Sequence, residues 1–179
     1  MKINIGAGNR REEGVFSCDV DPKTNPDYCF DLEKDVFPFA DDSIDGVLAH
    51  HILEHLGDGF FHCLQELYRV CKHGSYIDIL SPHPRHYQFL ADPTHKRAIM
   101  PEGLMLFSKK YNEYHKDSSA SQLGVQYDVD FEIVSSDEIP DPKYLQAFNS
   151  MKTEEAQRYI HEHNNIVMQY HIRLVVVKE

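Results

Sequence analysis

No apolar run in this chain approaches the roughly 20 residues that a membrane-spanning helix requires. No dense Lys/Arg run is present either. Lys+Arg total 18 against Asp+Glu 29, a net charge of −11. A surface that neutralises phosphates needs clustered basic side chains, so nucleic acid and anionic membrane are not expected partners. The four cysteines, Cys18, Cys29, Cys63 and Cys71, form no C-x-x-C pair, which argues against a zinc ribbon or a thioredoxin-like site. They read as small, mostly buried hydrophobes in a reducing compartment. Met1-Lys2 leads straight into Ile3-Asn4-Ile5-Gly6 with no signal-peptide pattern, so the expected location is cytoplasmic. Internal repeats and low-complexity tracts are also missing.

What is there is an ordinary globular chain. Its 179 residues are 41% hydrophobic and 26% charged, enough for one cored domain over 1–179. Short apolar runs recur at 3–5, 15–20, 28–32, 44–49 and 76–80. Several lack strict alternation, as strands buried on both faces of a parallel sheet do. Phe60, Cys63, Leu64, Leu67, Tyr68 and Cys71 recur at spacings of three and four, which predicts an amphipathic helix over 60–71. Lys72-His73-Gly74 is expected to end it, with Gly74 at the C′ position. Strand, helix, strand in this order is a βαβ unit. Short helices near 84–90 and 101–107 precede a polar stretch, Lys116 to Gln122. A sixth strand at 131–134, a helix over 141–164 and a long strand over 166–177 complete the pattern. Residues 83–126 are expected to form a cover or lid over an acceptor site.

The first run ends in Gly6-Ala7-Gly8 and the second in Asp19. Glycines let a ligand approach the backbone at the carboxyl end of strand one, and an acid ending strand two can accept from both ribose hydroxyls. A lone G-x-G equally makes a tight turn.

The specific signal is longer. Phe37-Pro38-Phe39-Ala40-Asp41-Asp42-Ser43-Ile44-Asp45, His51-Ile52-Leu53-Glu54-His55-Leu56 and Gln65-Glu66-Leu67-Tyr68-Arg69-Val70 follow the glycine loop, Cys18-Asp19-Val20-Asp21-Pro22 and Phe30-Asp31-Leu32-Glu33 in series. The series resembles the class I S-adenosylmethionine-dependent methyltransferases, in a small branch carrying an L-E-H-L element. It covers residues 3–82 and extends to Asp92-Pro93-Thr94-His95. The resemblance implies a Rossmann-like α/β fold: a mostly parallel sheet with an antiparallel last strand and helices on both faces. It also implies S-adenosylmethionine as cofactor. Gly6, Ala7 and Gly8 would lie against its methionine and ribose part, Asp19 and Val20 at the ribose, and Asp31 and Leu32 at the adenine. Ala49 and His50 would sit beside the sulfur.

One departure has structural consequences. Only ten residues separate Gly8 from Asp19, and strand two takes several of them. A crossover helix needs about ten residues of its own, so the first one must be reduced to a loop. Arg10 and Arg11 in that loop could reach the cofactor carboxylate or simply be solvated.

His51 and His55 follow strand four and are the candidate catalytic bases for an acceptor that must lose a proton, since histidine titrates near neutral pH. The same five residues also spell H-x-x-E-H, which on a continuous helix would hold zinc for hydrolysis. His83, His86, Asp92 and His95 form a second possible metal set. No metal is expected. Tyr87 and His95 are candidate acceptor contacts. The leading expectation is methyl transfer to a small or medium acceptor. The alternatives are a non-catalytic cofactor- or partner-binding module of the same fold and a zinc hydrolase.

Overall fold

Seven strands form one sheet in the order β3-β2-β1-β4-β5-β7-β6 in the computed structural model, which describes residues 1–178. The strands are β1 Lys2–Ile5, β2 Val15–Asp19, β3 Tyr28–Cys29, β4 Ile44–His50, β5 Cys71–Pro82, β6 Phe131–Pro140 and β7 Val167–Val176. The pairs among β1 to β5 are parallel, and β7 runs antiparallel to both β5 and β6. This is the expected sheet, including its antiparallel last strand. The order reverses between β1 and β4, and the glycine loop leaves β1 at that switch point.

Register explains the core. Ile3 faces Val47, Val47 faces Ile77 and Ile77 faces Leu174; one step on, Ala49, Ile79 and Ile172 align. These side chains are essentially unexposed and share one face of the sheet. Helix α1, Phe60–Val70, buries Phe60, Cys63, Leu64, Leu67 and Val70 in the same core. The helix ends earlier than its sequence suggests. Cys71 is already extended and starts β5, so Gly74, at φ +78, makes a bend inside the strand and not a helix cap.

The opposite face is thinly covered. Between β1 and β2 the chain makes only turns, as the short spacing requires. Lys2, Gly46, Leu48, Tyr76, Asp78 and Arg173 line an open groove of about 340 Å³ there. At its edge Asp78 accepts from Arg173, at 2.8 Å, and pairs with His50 and His171 at 3.1 and 2.9 Å. Burial pushes the Asp78 carboxyl up, but these three partners together hold it below its ordinary value.

Four short helices, α2 Tyr87–Ala91, α3 Pro101–Met105, α4 Lys109–Tyr114 and α5 Leu123–Gln126, connect β5 to β6. The expected helix over 141–164 is broken into α6 Leu145–Phe148 and α7 Thr153–Glu162, because Lys152 between them is extended. Neither piece buries a side chain. Arg85 holds this unit to the carboxyl edge of the sheet through His161 O, His163 O and Asn164 Oδ1. No helix among the described residues is long and apolar enough to cross a membrane.

Candidate active site

The glycine loop is set by backbone geometry. Gly6 and Gly8 have φ of +62 and +53, where a side chain is strained. Gly8 N–H donates to Asp19 Oδ2 at 2.7 Å, and Asp21 N–H donates to Asp19 Oδ1 at 2.9 Å. Asp19 is thereby fixed at the end of β2, with lone pairs left on both oxygens for a ligand. After β3, Asp31 accepts from Lys34 Nζ at 2.7 Å and from Glu33 N–H at 2.9 Å. Those two bonds, the lysine first, hold its carboxyl below the ordinary range against a smaller opposing effect of burial.

Gly6, Asp19, Asp31, Glu33, Ile52 and His55 line a crevice of about 180 Å³, with Val20, Leu32 and Leu56 completing its wall. Five of the sequence-expected cofactor residues, Gly6, Asp19, Val20, Asp31 and Leu32, therefore meet around one space. Gly8 reaches it through its bond to Asp19, and Ala7 is buried behind the loop. Ala49 and His50 are placed elsewhere. Ala49 faces the core, and the His50 ring is turned to Asp78 on the open face. Strand alternation sends these neighbours to opposite faces of the sheet and neither into the crevice. Arg11 is also committed elsewhere, donating to Gly8 O and Asn25 O at 2.9 Å and to Thr24 O.

Sequence reading missed Glu33, Ile52 and Leu56 as lining. Glu33 Oε1 accepts from Gly57 N–H at 2.6 Å and Gly59 N–H at 3.2 Å. That ties the loop after β3 to the start of α1. A Cβ on Gly59 would lie 2.3 Å from Glu33 Cβ, so only glycine fits. The cue was available: two glycines follow the L-E-H-L element immediately.

His51 and His55 do not share a helical face. His51 has φ +57, and only Leu53–His55 forms a single 3-10 turn. The H-x-x-E-H geometry of a helical zinc site is therefore not formed. His51 Nδ1 lies 3.5 Å from Glu54 Oε1, while His55 Nδ1 contacts Thr94 Oγ1 at 2.8 Å. The second metal set also disperses. His83 Nδ1 accepts from Arg85 N–H and its ring packs on Tyr170. Burial first, then the nearby Arg85, pushes the His83 ring down to about 4. His86 caps α2 and pairs with Asp141 at 3.3 Å. Tyr87 is half exposed on α2, and His95 stacks on Phe89, 5.1 Å between ring centres. Of the cover expected over 83–126, Thr94 and His95 reach this site, both against His55. Leu104, Phe107 and Leu123 pack in the core cluster around α1 instead.

An open α/β sheet with its crevice at the β1/β4 switch point, a glycine loop and two following acids defines the fold of a class I methyltransferase. Comparison with known proteins agrees. The family described as "Methyltransferase domain" matches residues 14–79. No curated protein matches the chain. A SAM-dependent methyltransferase from Archaeoglobus fulgidus is 26% identical, with 97% of this chain and 85% of that one covered and a TM-score of 0.62. The YcgJ protein of Bacillus subtilis is 13% identical, covering 99% and 92%, with a TM-score of 0.58. A SAM-dependent methyltransferase from Methanosarcina mazei is 12% identical over the same shares, with a TM-score of 0.57. The family match and the first of these structures support the class I methyltransferase superfamily; the other two show the fold.

Proposed function

We propose that this protein transfers a methyl group from S-adenosylmethionine to a small or medium acceptor that enters at the carboxyl edge of the sheet. The observation that carries the reading is the convergence of Gly6, Asp19 and Asp31 on one crevice at the switch point. The residues fit the cofactor: Asp19 offers carboxylate oxygens to two ribose hydroxyls, Asp31 offers one to an adenine amino group, and Leu32 and Leu56 offer apolar walls. The space is smaller than the roughly 300 Å³ and more usual for ligand pockets, so Ile52, which fills it beside Gly6, has to swing aside.

When bound, the cofactor supplies a methyl group on a positively charged sulfur, open to in-line displacement. The protein's part is to hold the donor, align the acceptor and exclude water. His51 and His55 stand at the reacting edge as candidate bases, and His55 is part of the crevice wall. Tyr87 and His95 offer an aromatic and a polar contact to the acceptor from the α2 side. The branch with the L-E-H-L element is the one proposed for this chain.

Calorimetric titration with S-adenosylmethionine and with S-adenosylhomocysteine tests the reading. Binding is expected for both. Asp19→Ala removes a charged acceptor from two hydroxyls and should cost on the order of 1.5–3 kcal/mol. Unchanged affinity would remove Asp19 from the site, and no binding of either ligand to the wild-type chain would end the reading.

A further inference from the structure

Behind the crevice lies a side-chain cluster that the proposed reaction leaves partly unused. Glu54 is fully buried in the 3-10 turn after β4. Its Oε1 has no hydrogen-bond partner among the described residues, and its Oε2 has only a 3.4 Å contact with Ser81 Oγ. His51 Nδ1 stands 3.5 Å from the same Oε1, too far for a good hydrogen bond, so this buried carboxyl group is only weakly compensated and the site is suited to a positive charge.

Two histidines face the same place. The backbone carbonyl of Glu54 accepts from Lys96 N–H at 2.7 Å, which draws the segment carrying His95 against the turn. His95 Nδ1 lies 2.7 Å from Phe89 O. A carbonyl can only accept, so Nδ1 carries the hydrogen and the neutral ring presents a lone pair at Nε2. Thr94 Oγ1 is 2.6 Å from Asp92 Oδ1, and a carboxylate also only accepts, so the hydroxyl proton goes there. Thr94 Oγ1 must then accept from His55 Nδ1–H, which leaves the lone pair of His55 on its Nε2 as well. Both imidazoles are thus held by an outer hydrogen bond with the far nitrogen bare, as metal-ligating histidines are. One ligand atom each from Glu54, His55 and His95 lies within 4.8 Å of the others. Asp92 Oδ2 stands 3.9 Å from His95 Nε2 at the rim.

We propose that Glu54, His55 and His95 bind a divalent transition-metal ion, with zinc the test case and an open coordination position on the crevice side, where His55 forms the wall. Two imidazole nitrogens and one carboxylate oxygen are the donor set of zinc sites that keep a free position. The set omits His51, so it is distinct from the H-x-x-E-H arrangement that the fold breaks. With His55 committed to the ion, the base role in the proposed reaction falls to His51.

The test uses the full chain after chelator treatment. Cobalt(II) is the optical probe and zinc the competitor. One cobalt per chain should bind, with the visible absorption of a low-coordinate site, and one equivalent of zinc should displace it. Glu54→Gln and His95→Ala should each weaken binding at least about ten-fold, and Thr94→Val, which removes only the outer hydrogen bond, about ten-fold or more. His161→Ala/His163→Ala, on the exposed α7 side, should bind as wild type. Circular dichroism checks folding; if Glu54→Gln does not fold, His95→Ala and Thr94→Val decide. Sub-stoichiometric cobalt, wild-type binding by His95→Ala, or loss in the His161/His163 variant overturns the site. S-adenosylmethionine titrated into the same samples keeps this outcome separate from that of the methyltransferase reading.

Discussion

A Cβ built on Gly6 would sit 2.4 Å from Cγ1 of Ile52. The apolar side chain before the 3-10 turn thus rests directly on the glycine that ends β1. Gly6 serves two ends here, a left-handed turn and room for the Ile52 side chain. Gly6→Ala should cost about 1–2 kcal/mol for the backbone conformation and about 1–3 kcal/mol for the collision. Adding Ile52→Ala should return the second part and leave the first. Denaturant unfolding of the two single variants and the double checks this. Equal stability of Gly6→Ala and wild type would mean the loop relaxes freely.

The most conspicuous motif residues act on packing. Arg69 donates to Glu66, to Asp41 and to the carbonyls of Phe37 and Phe39, while Glu66 Oε2 accepts from the buried Phe37 N–H at 2.7 Å. The fork clamps the loop before β4 onto α1. Lysine keeps the charge but not the fork, so Arg69→Lys should destabilise by about 2–3 kcal/mol. The pH dependence has a definite sign. The Arg69 bond, then the Phe37 N–H, hold the Glu66 carboxyl below its ordinary value against burial. Its contribution is therefore complete above the unfolded value near about 4.3 and is lost as pH falls through the lower folded one. Glu66→Gln should flatten the acid limb of a stability-against-pH curve; an unchanged limb would move the acid sensitivity to other carboxylates.

That clamp also shows what was legible. The strand runs, α1, the missing first crossover helix and the meeting of Asp19 and Asp31 at one crevice could be read because periodicity, spacing and motif order are local properties. Departures from the sequence pattern arose where a neighbour decides. Cys71 joins β5 because the strand pairs with β4 and β7, which outweighs the helix-ending signal at Gly74. His50 follows strand alternation to Asp78, a partner far along the chain. The crevice residues Glu33 and Ile52 depend on contacts with Gly59 and Gly6; the glycines after the L-E-H-L element hint at the first, and no spacing announces the second.

Thiol chemistry should single out one cysteine. Burial pushes Cys18 and Cys71 up to about 12, and raises the fully enclosed Cys63 as well. Cys29, on the edge strand β3, is exposed. The thiolate is the reactive form, so the native chain should give one fast thiol per molecule with a disulfide reagent. Cys29→Ser should abolish it, and denaturation should release the other three. Two or more fast thiols in the native state would show that the β2 or α1 region opens on the reagent's timescale.

The stretch 116–122 should be where a protease first enters. Its hydrogen bonds are short-range: Ser118 N–H and Oγ donate to His115 O, Ala120 N–H donates to Ser118 Oγ, and Gln122 Nε2 donates to Lys116 O. Lys116 to Ser119 are exposed. Such a segment opens without disturbing the sheet, because few apolar contacts hold it. Limited proteolysis with a broad-specificity enzyme should cut near Ser118-Ser119 in the free chain well before any site in β4 or β5. None of these residues lines the crevice, so S-adenosylmethionine alone should leave the rate unchanged. Protection that appears only when an acceptor is also present would mark the stretch as part of the cover proposed for 83–126. Resistance equal to that of the sheet in the free chain would make it fixed packing, and the cover would then be confined to the segment around Thr94 and His95.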